Sequence, residues 1–215
     1  MNQRSAKTVA ANPRPRVRSN PPARRNPPVP EVVFLIGFMG AGKTSVGRAL
    51  GERLNWIFED LDDRIERRER RTIAQIFRES GEAAFRRAEH SALQELLDGL
   101  HGQPRIVALG GGAYAQPENS ALLQAAGVPI VFLDAPVEEL WERCCEQANT
   151  AGTQRPLLRD PDQFRRLYDT RRRKYAEVPV TISTAGRTVP EVAADIAGRL
   201  GLKRAEMQVE QGEVE

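Results

Sequence analysis

Residues 37–44 read Gly-Phe-Met-Gly-Ala-Gly-Lys-Thr, which fits the pattern G-x-x-x-x-G-K-[ST]. This stretch directly follows the apolar run 32–36 and precedes a segment with helical periodicity. The pattern is typical of a loop between a strand and a helix whose backbone N–H groups surround phosphate groups. Glycines are needed there because a Cβ atom would obstruct the close approach or strain the backbone. The sequence therefore predicts a strand, a phosphate-binding loop and a helix in succession.

Two residues at the end of this loop are predicted to act on the nucleotide directly. Lys43 would reach the β- and γ-phosphates and the Thr44 hydroxyl would ligate Mg²⁺, both at a helix N-terminus that favours negative charge. A glycine-rich turn without a nucleotide is the alternative, and the strand–loop–helix context argues against it. The predicted nucleotide-binding residues of the loop are Gly40, Ala41, Gly42, Lys43, Thr44 and Ser45.

Composition indicates one globular domain with tails. The chain has 215 residues, of which 40% are apolar and 28% charged, and this length is sufficient for a hydrophobic core. No apolar run approaches the roughly 18 residues that a membrane-spanning helix requires, so no membrane segment is predicted. Cys144 and Cys145 are adjacent, which disfavours a disulfide between them and favours a reducing, cytoplasmic environment.

The basic charge of the chain is concentrated at its N-terminus. Residues 1–30 contain six Arg, one Lys, seven Pro and no acidic residue, so the rest of the chain carries −4 although the whole carries +3. We predict a disordered, basic Pro/Arg-rich tail at 1–30, a domain at 31–201 and a disordered acidic tail at 202–215. An inert leader is the favoured interpretation of the basic tail, with a nucleic-acid-binding arm and an organelle-targeting segment as alternatives.

The order of predicted elements indicates a parallel sheet covered by helices on both faces. Strands and helices alternate through the domain, as is typical of α/β folds. The predicted strands are 32–36, 56–58, 105–109, 129–133 and 179–183. The predicted helices are 43–54, 63–68, 82–100, 117–126, 136–147, 161–175 and 188–200. A further short helix is capped by Thr72, with Gln75 at the position where a capping box closes, and ends at Gly81.

Acidic residues and glycines follow two of these strands, at the edge where open parallel sheets bind ligands. Asp60 and Asp62 follow the second strand and could divide the work between metal binding and contact with an acceptor hydroxyl. Asp62 could instead simply cap the next helix. The triple glycine 110–112 follows the third strand and indicates either a turn or a close approach of backbone to ligand.

One arginine lies on a predicted apolar helix face. Arg171 shares this face with Phe164, Tyr168 and Tyr175. Because burial of an unpaired charge is costly, Arg171 requires a partner or a ligand. Arg86, by contrast, stands four residues after Glu82 and could be an ordinary helix-surface ion pair. The residues alone therefore single out Arg171 more strongly than Arg86.

Taken together, five motifs resemble those of the shikimate kinase family in order and spacing. They are the loop at 37–44, Asp-Leu-Asp at 60–62, Phe-Arg-Arg-Ala-Glu at 85–89, Gly-Gly-Gly at 110–112 and Arg-Pro-Leu-Leu at 155–158. The phosphate-binding loop is shared by many kinases, whereas the combination is specific. The likeness, from about residue 32 to 200, implies a three-layer P-loop kinase fold of the nucleoside monophosphate kinase type. That fold has helices around a five-stranded parallel sheet of order 2-3-1-4-5, a substrate-binding segment and a lid.

The resemblance also implies an activity. It is the ATP-dependent phosphorylation of the 3-hydroxyl of shikimate to shikimate 3-phosphate, a step of chorismate and aromatic amino acid biosynthesis. The implied cofactors are ATP and Mg²⁺. A monomer is implied, with shikimate as its small-molecule partner and with no nucleic acid or membrane.

Individual residues receive roles from the same resemblance. Arg86 and Arg171 would clamp the substrate carboxylate, because a guanidinium fork matches a carboxylate bidentately. Arg155 would close over the phosphates from the lid, and Arg143 would pack on adenine. The implied residues are Lys43, Asp62 and Arg155 for catalysis, Arg143 and Arg155 beside the loop for ATP, Thr44 and Asp60 for Mg²⁺, and Asp62, Arg86, Glu89, Gly110, Gly111, Gly112 and Arg171 for shikimate.

Four features depart from the family pattern. Residues 44–45 are Thr-Ser where Ser-Thr is usual, and either hydroxyl can ligate a metal. Arg70 stands where the family has a glycine at a helix end. The segment 143–155 is longer than usual, and Arg-Lys at 173–174 replaces Pro-Leu. These changes concern the lid length and the adenine contact most.

Two other functions compete with this interpretation. A gluconate or nucleoside monophosphate kinase would share the architecture, but two arginines for one carboxylate, together with an aspartate, favour an acidic polyol. A regulatory binding module whose basic arm contacts nucleic acid is the rival from another class. Such a module would be expected to lack Lys43, Asp62 or one of the arginines, and all are present.

Overall fold

The computed structural model describes residues 31–100, 102–151 and 156–205. Five strands form one sheet, namely β1 (Val32–Ile36), β2 (Ile57–Asp60), β3 (Arg105–Ala108), β4 (Ile130–Asp134) and β5 (Val180–Ser183). Their order is β2-β3-β1-β4-β5 and every pair is parallel, which confirms the predicted topology.

Helices cover both faces of this sheet. In the described ranges they are α1 (Lys43–Leu54), α2 (Leu61–Glu69), α3 (Ile73–Asp98), α4 (Pro117–Ala125), α5 (Val137–Ala151), α6 (Pro161–Tyr175) and α7 (Val189–Leu200), and a short 3-10 helix, Pro156–Arg159, precedes α6. Successive side chains of a strand point to opposite faces, so Phe34 and Leu35 of the central strand enter two different hydrophobic clusters. Leu35 packs with α1 and α7, and Phe34 packs with α2 and α3.

The start of α3 and its interruption both follow sequence signals. The Thr72 hydroxyl accepts the Gln75 N–H and the Gln75 side chain accepts the Thr72 N–H, which confirms the predicted capping box. At Gly81 the backbone leaves the helical conformation, with φ of 78°, so α3 consists of two helices that meet at this glycine, which confirms the predicted end of the short helix there. Another helix, α5, continues to Ala151 instead of ending near residue 147.

The junction of β2 and α2 corrects one prediction. The strand extends to Asp60, whose Oδ1 accepts the backbone N–H of Asp62 at 3.0 Å and so caps α2. The alternative that Asp62 caps this helix is therefore wrong. Asp62 lies in the first helical turn instead, beside the carboxyl edge of the sheet.

The packed domain extends slightly beyond the predicted boundary at residue 201. Leu202 belongs to the hydrophobic cluster around α1 and α7, and the Ala205 N–H donates to the Leu54 carbonyl at 2.7 Å. Residues 1–30 and 206–215, most of the two predicted tails, lie outside the described residues, as does Arg155. In the described part of the chain, no helix combines the length and apolarity needed to cross a bilayer.

Candidate active site

The carboxyl ends of β1, β2 and β3 open into one cleft of about 1090 Å³. Because parallel strands end at the same edge of a sheet, motifs that are distant in sequence meet there. Predicted site residues that line it are Gly40, Gly42, Lys43, Thr44, Ser45, Asp60, Asp62, Arg86, Glu89, Gly110, Gly111, Gly112 and Arg171. Ala41 is buried within the loop.

The loop between β1 and α1 has the geometry of an anion site. Gly40 and Gly42 adopt φ values of 80° and 86°, which residues with a Cβ atom rarely do. No side chain caps α1, and the backbone N–H groups of residues 43–45 have no acceptor among the described residues. A helix N-terminus that no side chain caps, preceded by a glycine-rich turn, can bind phosphate through such N–H groups.

Lys43 is half-buried and hydrogen-bonded to the loop itself. Its Nζ donates to the carbonyl of Gly37 at 2.9 Å and to that of Phe38 at 3.2 Å. Burial lowers the pKa of Lys43, while the nearby carboxylates of Asp62 and Asp60 oppose that shift. The ammonium group therefore lies between the phosphate-binding loop and the acidic pair.

Thr44 and Asp60 form a pair of oxygen ligands. The Thr44 hydroxyl donates to Oδ2 of Asp60 at 2.9 Å, and the other carboxylate oxygen of Asp60 caps α2. Hydroxyl and carboxylate oxygens are ligands that suit Mg²⁺. The described residues hold no group of three or more His, Cys, Asp or Glu that could bind a metal without help. This pair fits a magnesium ion that takes its remaining ligands from phosphate and water.

The Asp62 carboxylate lies against the backbone of the third strand's glycines. A Cβ atom on Gly110 would lie 2.5 Å from Oδ1 of Asp62, so only glycine permits this approach. Burial is the main cause that raises the pKa of Asp62 to about 6, and Asp60 adds to it while Lys43 opposes it. Asp62 is thus ionised at neutral pH but close enough to its pKa to exchange a proton.

Two guanidinium groups meet beside Gly112. A Cβ atom at this position would lie 3.1 Å from Nη2 of Arg171 and 3.2 Å from Nη1 of Arg86. Arg86 is held by Glu82 at 3.2 Å and by Glu89 at 2.9 Å, and the Glu89 side chain is only 1% exposed. The two arginines therefore come from different helices to one point, and Glu89 fixes one of them.

Arg171 has no acidic partner in the described part of the chain. It forms no hydrogen bond or ion pair with any described residue, and its guanidinium lies over the ring of Phe38 at 5.7 Å. Burial lowers the pKa of Arg171, and the positive charge of Arg86 acts in the same direction. A half-buried arginine beside a second arginine forms a cationic site, and an anionic ligand would compensate its charge.

Arg143 lies beside the loop rather than in the lining of the cleft. Its guanidinium donates to the hydroxyl of Thr184 at 3.1 Å, to the Thr184 carbonyl at 2.9 Å and to the Gly40 carbonyl at 3.4 Å. These bonds fix it between the phosphate-binding loop and the segment after β5. Its contact with adenine stays a prediction.

Sequence patterns gave no site role to several residues of the cleft. Ile73, Phe77 and Phe85 of α3 form an apolar wall, in which Phe77 is 39% exposed and its ring lies 4.8 Å from that of Phe85. Their helical spacing is the same for a core stripe and for a cleft wall. Gln147 and Gln163 also line the cleft, from α5 and α6, and no pattern marks them.

Comparison with known proteins agrees with this geometry. The model of the shikimate kinase family matches residues 39–200, most of the chain. The chain belongs to the shikimate kinase family. The shikimate kinase of Persephonella marina is 35% identical over 169 residues, which cover 78% of this chain and 98% of the relative.

Solved structures show the same relationship. The shikimate kinase from Acinetobacter baumannii, solved in complex with shikimate, is 34% identical with a TM-score of 0.70, and the match covers 80% of this chain and 93% of that one. A gluconokinase from Sinorhizobium meliloti is 18% identical with a TM-score of 0.53, so it shares the fold alone. Membership in the shikimate kinase family confirms the predicted fold and identifies the chain as a kinase that uses ATP.

Proposed function

We propose that this kinase transfers the γ-phosphoryl group of ATP to the 3-hydroxyl of shikimate, in the pathway to chorismate and the aromatic amino acids. One observation carries the proposal: Arg86 and Arg171 converge beside Gly112, in the same cleft as the phosphate-binding loop and Asp62. Shikimate has a carboxylate on one side of its ring and hydroxyl groups on the other. The cleft offers two cations to the former and a carboxylate with glycine backbone to the latter.

The residues near the loop suit the chemical step. The 3-hydroxyl oxygen forms a bond to the γ-phosphorus while the bond to the β–γ bridging oxygen breaks, and ADP leaves. We assign the hydroxyl proton to Asp62, whose pKa of about 6 suits an acceptor at neutral pH. Lys43 is proposed to exchange its two loop carbonyls for phosphate oxygens, and the N–H groups at the start of α1 would bind the same phosphates.

Other contacts of the nucleotide follow from the same arrangement. Thr44 and Asp60 are proposed to hold Mg²⁺, which when bound neutralises charge on the β- and γ-phosphates. Arg155 is proposed to close over the phosphates, although it lies outside the described residues. Arg143 is proposed to pack on adenine, supported by its position against the Gly40 carbonyl.

We further propose a cytoplasmic monomer without a nucleic-acid partner. Two observations support it. Cys144 and Cys145 are adjacent in the sequence and form no disulfide, which suits a reducing compartment. The large apolar side chains exposed among the described residues are Ile57, Phe77 and Val189, which lie far apart in sequence, and Phe77 belongs to the cleft.

The substrate can be tested in one parallel assay. ADP release would be measured with shikimate, quinate, gluconate and nucleoside monophosphates, each offered with ATP and Mg²⁺. We expect shikimate to give the highest kcat/KM, and mass spectrometry should show one added phosphoryl group on its 3-hydroxyl. A preference for gluconate or for a nucleotide acceptor would overturn the proposal.

The carboxylate clamp predicts the effect of Arg171→Lys. An ammonium group keeps the charge but cannot form the planar, bidentate contact, so kcat/KM for shikimate should fall roughly a hundredfold, or about 2–3 kcal/mol. The KM for ATP should barely change. Arg172→Lys is the matched control, because this neighbour on α6 pairs with Asp134 at 2.7 Å and does not line the cleft.

An analogue separates the clamp from a structural charge. With the carboxylate replaced by a carboxamide, the substrate should be equally poor for wild type and for Arg171→Lys. If the variant still discriminated between acid and amide as strongly as wild type, the clamp would lie elsewhere.

A further inference from the structure

We infer that Tyr175 and Asn119 are positioning residues that fix the distance between the carboxylate-binding and hydroxyl-binding parts of the cleft, and thereby set substrate specificity. The inference rests on the proposed function of that cleft. It starts from residues 110–113, here called the glycine loop.

Every carbonyl group of the glycine loop accepts a hydrogen bond from the protein. The donors are the Ala113 N–H to Gly110 at 3.1 Å, the Tyr175 hydroxyl to Gly111, the Ala115 N–H to Gly112 at 3.2 Å, and the Gln116 N–H and the Asn119 side chain to Ala113 at 3.2 and 3.1 Å. By contrast, the N–H groups of the three glycines have no acceptor among the described residues. The loop therefore keeps its donors for a ligand.

Tyr175 fixes the most important of these N–H groups. In a planar trans peptide the C=O of one residue and the N–H of the next point in opposite directions. The bond from Tyr175 to the Gly111 carbonyl thus directs the N–H of Gly112 the other way, and Gly112 is the residue beside the two arginines. No other described residue donates to that carbonyl. Burial raises the pKa of Tyr175 to about 12, so the phenol stays protonated and keeps its donor.

Asn119 fastens the other end of the loop to α3. It is 1% exposed, its Nδ2 donates to the Ala113 carbonyl at 3.1 Å, and its Oδ1 lies 2.8 Å from Nδ1 of His90. Both polar atoms of this buried amide form hydrogen bonds. Displacing the amide is costly, because the loss of either bond leaves a buried polar group without a partner. His90, for which no sequence pattern predicts a role, thereby connects α3 with the glycine loop.

The spacing of these residues links the loop to the arginines. Tyr175 follows Arg171 by four residues on α6, and His90 follows Arg86 by four residues on α3. Residues four apart lie on one face of a helix. Each helix that carries one of the two arginines therefore also holds the glycine loop in place, through a residue one helical turn further along the chain. Movement of either helix relative to the glycine N–H groups would break the hydrogen bond of Tyr175 or that of His90, so the cleft holds a fixed carboxylate-to-hydroxyl distance.

Tyr175→Phe tests this inference with little change of shape. Loss of one neutral hydrogen bond that orients a binding group should raise the KM for shikimate roughly tenfold and leave the KM for ATP unchanged. The matched control is Tyr168→Phe on the same helix, whose hydroxyl donates to the Ala135 carbonyl at 3.0 Å, away from the glycine loop. The control should keep the KM for shikimate of wild type.

A homologue of shikimate with one methylene group between ring and carboxylate measures specificity. Wild type should reject it, and the ratio of kcat/KM for shikimate over the homologue should fall roughly fivefold or more in Tyr175→Phe, because the glycine loop can then adjust.

Asn119→Ser repeats the test from the α3 side and decides it if Tyr175→Phe fails to fold. Equal kinetics and equal discrimination in Tyr175→Phe and Tyr168→Phe would overturn the inference alone. A wild type that does not phosphorylate shikimate would overturn the proposed function and this inference with it.

Discussion

In the cleft, the contacts of each charged side chain determine what that side chain can do. Asp60 and Asp62 stand two residues apart but have different partners. The Asp62 carboxylate lies against the glycine backbone, and burial is the main cause that raises its pKa to about 6. Asp60 accepts hydrogen bonds from Thr44 and from the start of α2. The two aspartates are therefore suited to different work.

Asp62→Asn should lower kcat far more than it weakens ATP binding, because it keeps the shape but removes the proton acceptor. In wild type, kcat/KM for shikimate should fall as pH drops through about 6, where Asp62 becomes protonated. The residual activity of the variant should lack that inflection. Asp63→Asn, at an exposed position in the same turn, is the control. An equal loss of nucleotide affinity would instead place Asp62 among the metal ligands.

The same variant predicts a change in stability with a defined sign. The native state binds more protons than the unfolded state between about pH 4 and 6, because the pKa of Asp62 is raised from 3.8 to about 6. Stability contributed by this group is therefore lost as pH rises through that window. Asp62→Asn should be more stable than wild type at pH 7.5 by about 2–3 kcal/mol and equally stable near pH 4. Urea unfolding at both pH values measures the difference.

Among the helices, the end of α2 departs from the usual preference for glycine in the left-handed conformation. Helix α2 ends at Arg70, which adopts the left-handed conformation with φ of 53°. The resemblance to the family had already marked this position as one where a glycine is usual. A side chain with a Cβ atom is strained in that conformation, which explains the preference for glycine there.

Arg70→Gly should therefore stabilise the protein, by roughly 0.5–1 kcal/mol after the greater freedom of glycine in the unfolded chain is subtracted. Asn55→Gly is the matched control, since Asn55 ends α1 with φ of 56° and asparagine tolerates this conformation. Its free energy of unfolding should change little. If Arg70→Gly were no more stable than wild type, strain at this helix end would not be the reason for the family's glycine.

Element types could be predicted from the sequence, whereas several ends could not. The run 32–36 and the Thr72 capping box are local signals, and both are confirmed. The extension of β2 to Asp60 depends on pairing with Ala108 of β3, which no local pattern contains. The break at Gly81, by contrast, is a local signal that held, because the backbone leaves the helical conformation there with φ of 78°. At β2, tertiary contacts overrode local preference.

The candidate site divides along the same line. The phosphate-binding loop, Asp62 and the triple glycine are contiguous motifs, so sequence sufficed to predict that they line a cleft. Tyr175 and the carbonyl it binds are 64 residues apart, and Asn119 reads as an ordinary position in a helix. The one available signal was the spacing of four residues between Arg171 and Tyr175 on a predicted apolar face.

The strand order of the sheet places the proposed sites for ATP and shikimate on two sides of one cleft. The loop after central β1 is the proposed phosphate site. The strands β2 and β3 bring Asp62 and the glycine loop to one side of it, and the Arg143–Thr184 contact lies on the other side, next to β4 and β5. The described residues that line the cleft fall between positions 39 and 171, and the family model matches residues 39–200, so the family likeness does not include the seven basic residues of 1–30.

Deletion of residues 2–29 should therefore leave kcat and both KM values within about twofold of wild type. The deletion must spare Glu31, because its carbonyl accepts the Arg105 N–H at 2.9 Å and extends the pairing of β1 with β3. A longer deletion through Val33 is the control and should destabilise the fold, since it removes two buried residues of the central strand. A KM for ATP that rises in the shorter deletion would contradict the prediction. If that rise disappeared near 1 M salt, where charges are screened beyond about 3 Å, the basic tail would be contributing to nucleotide binding through its charge.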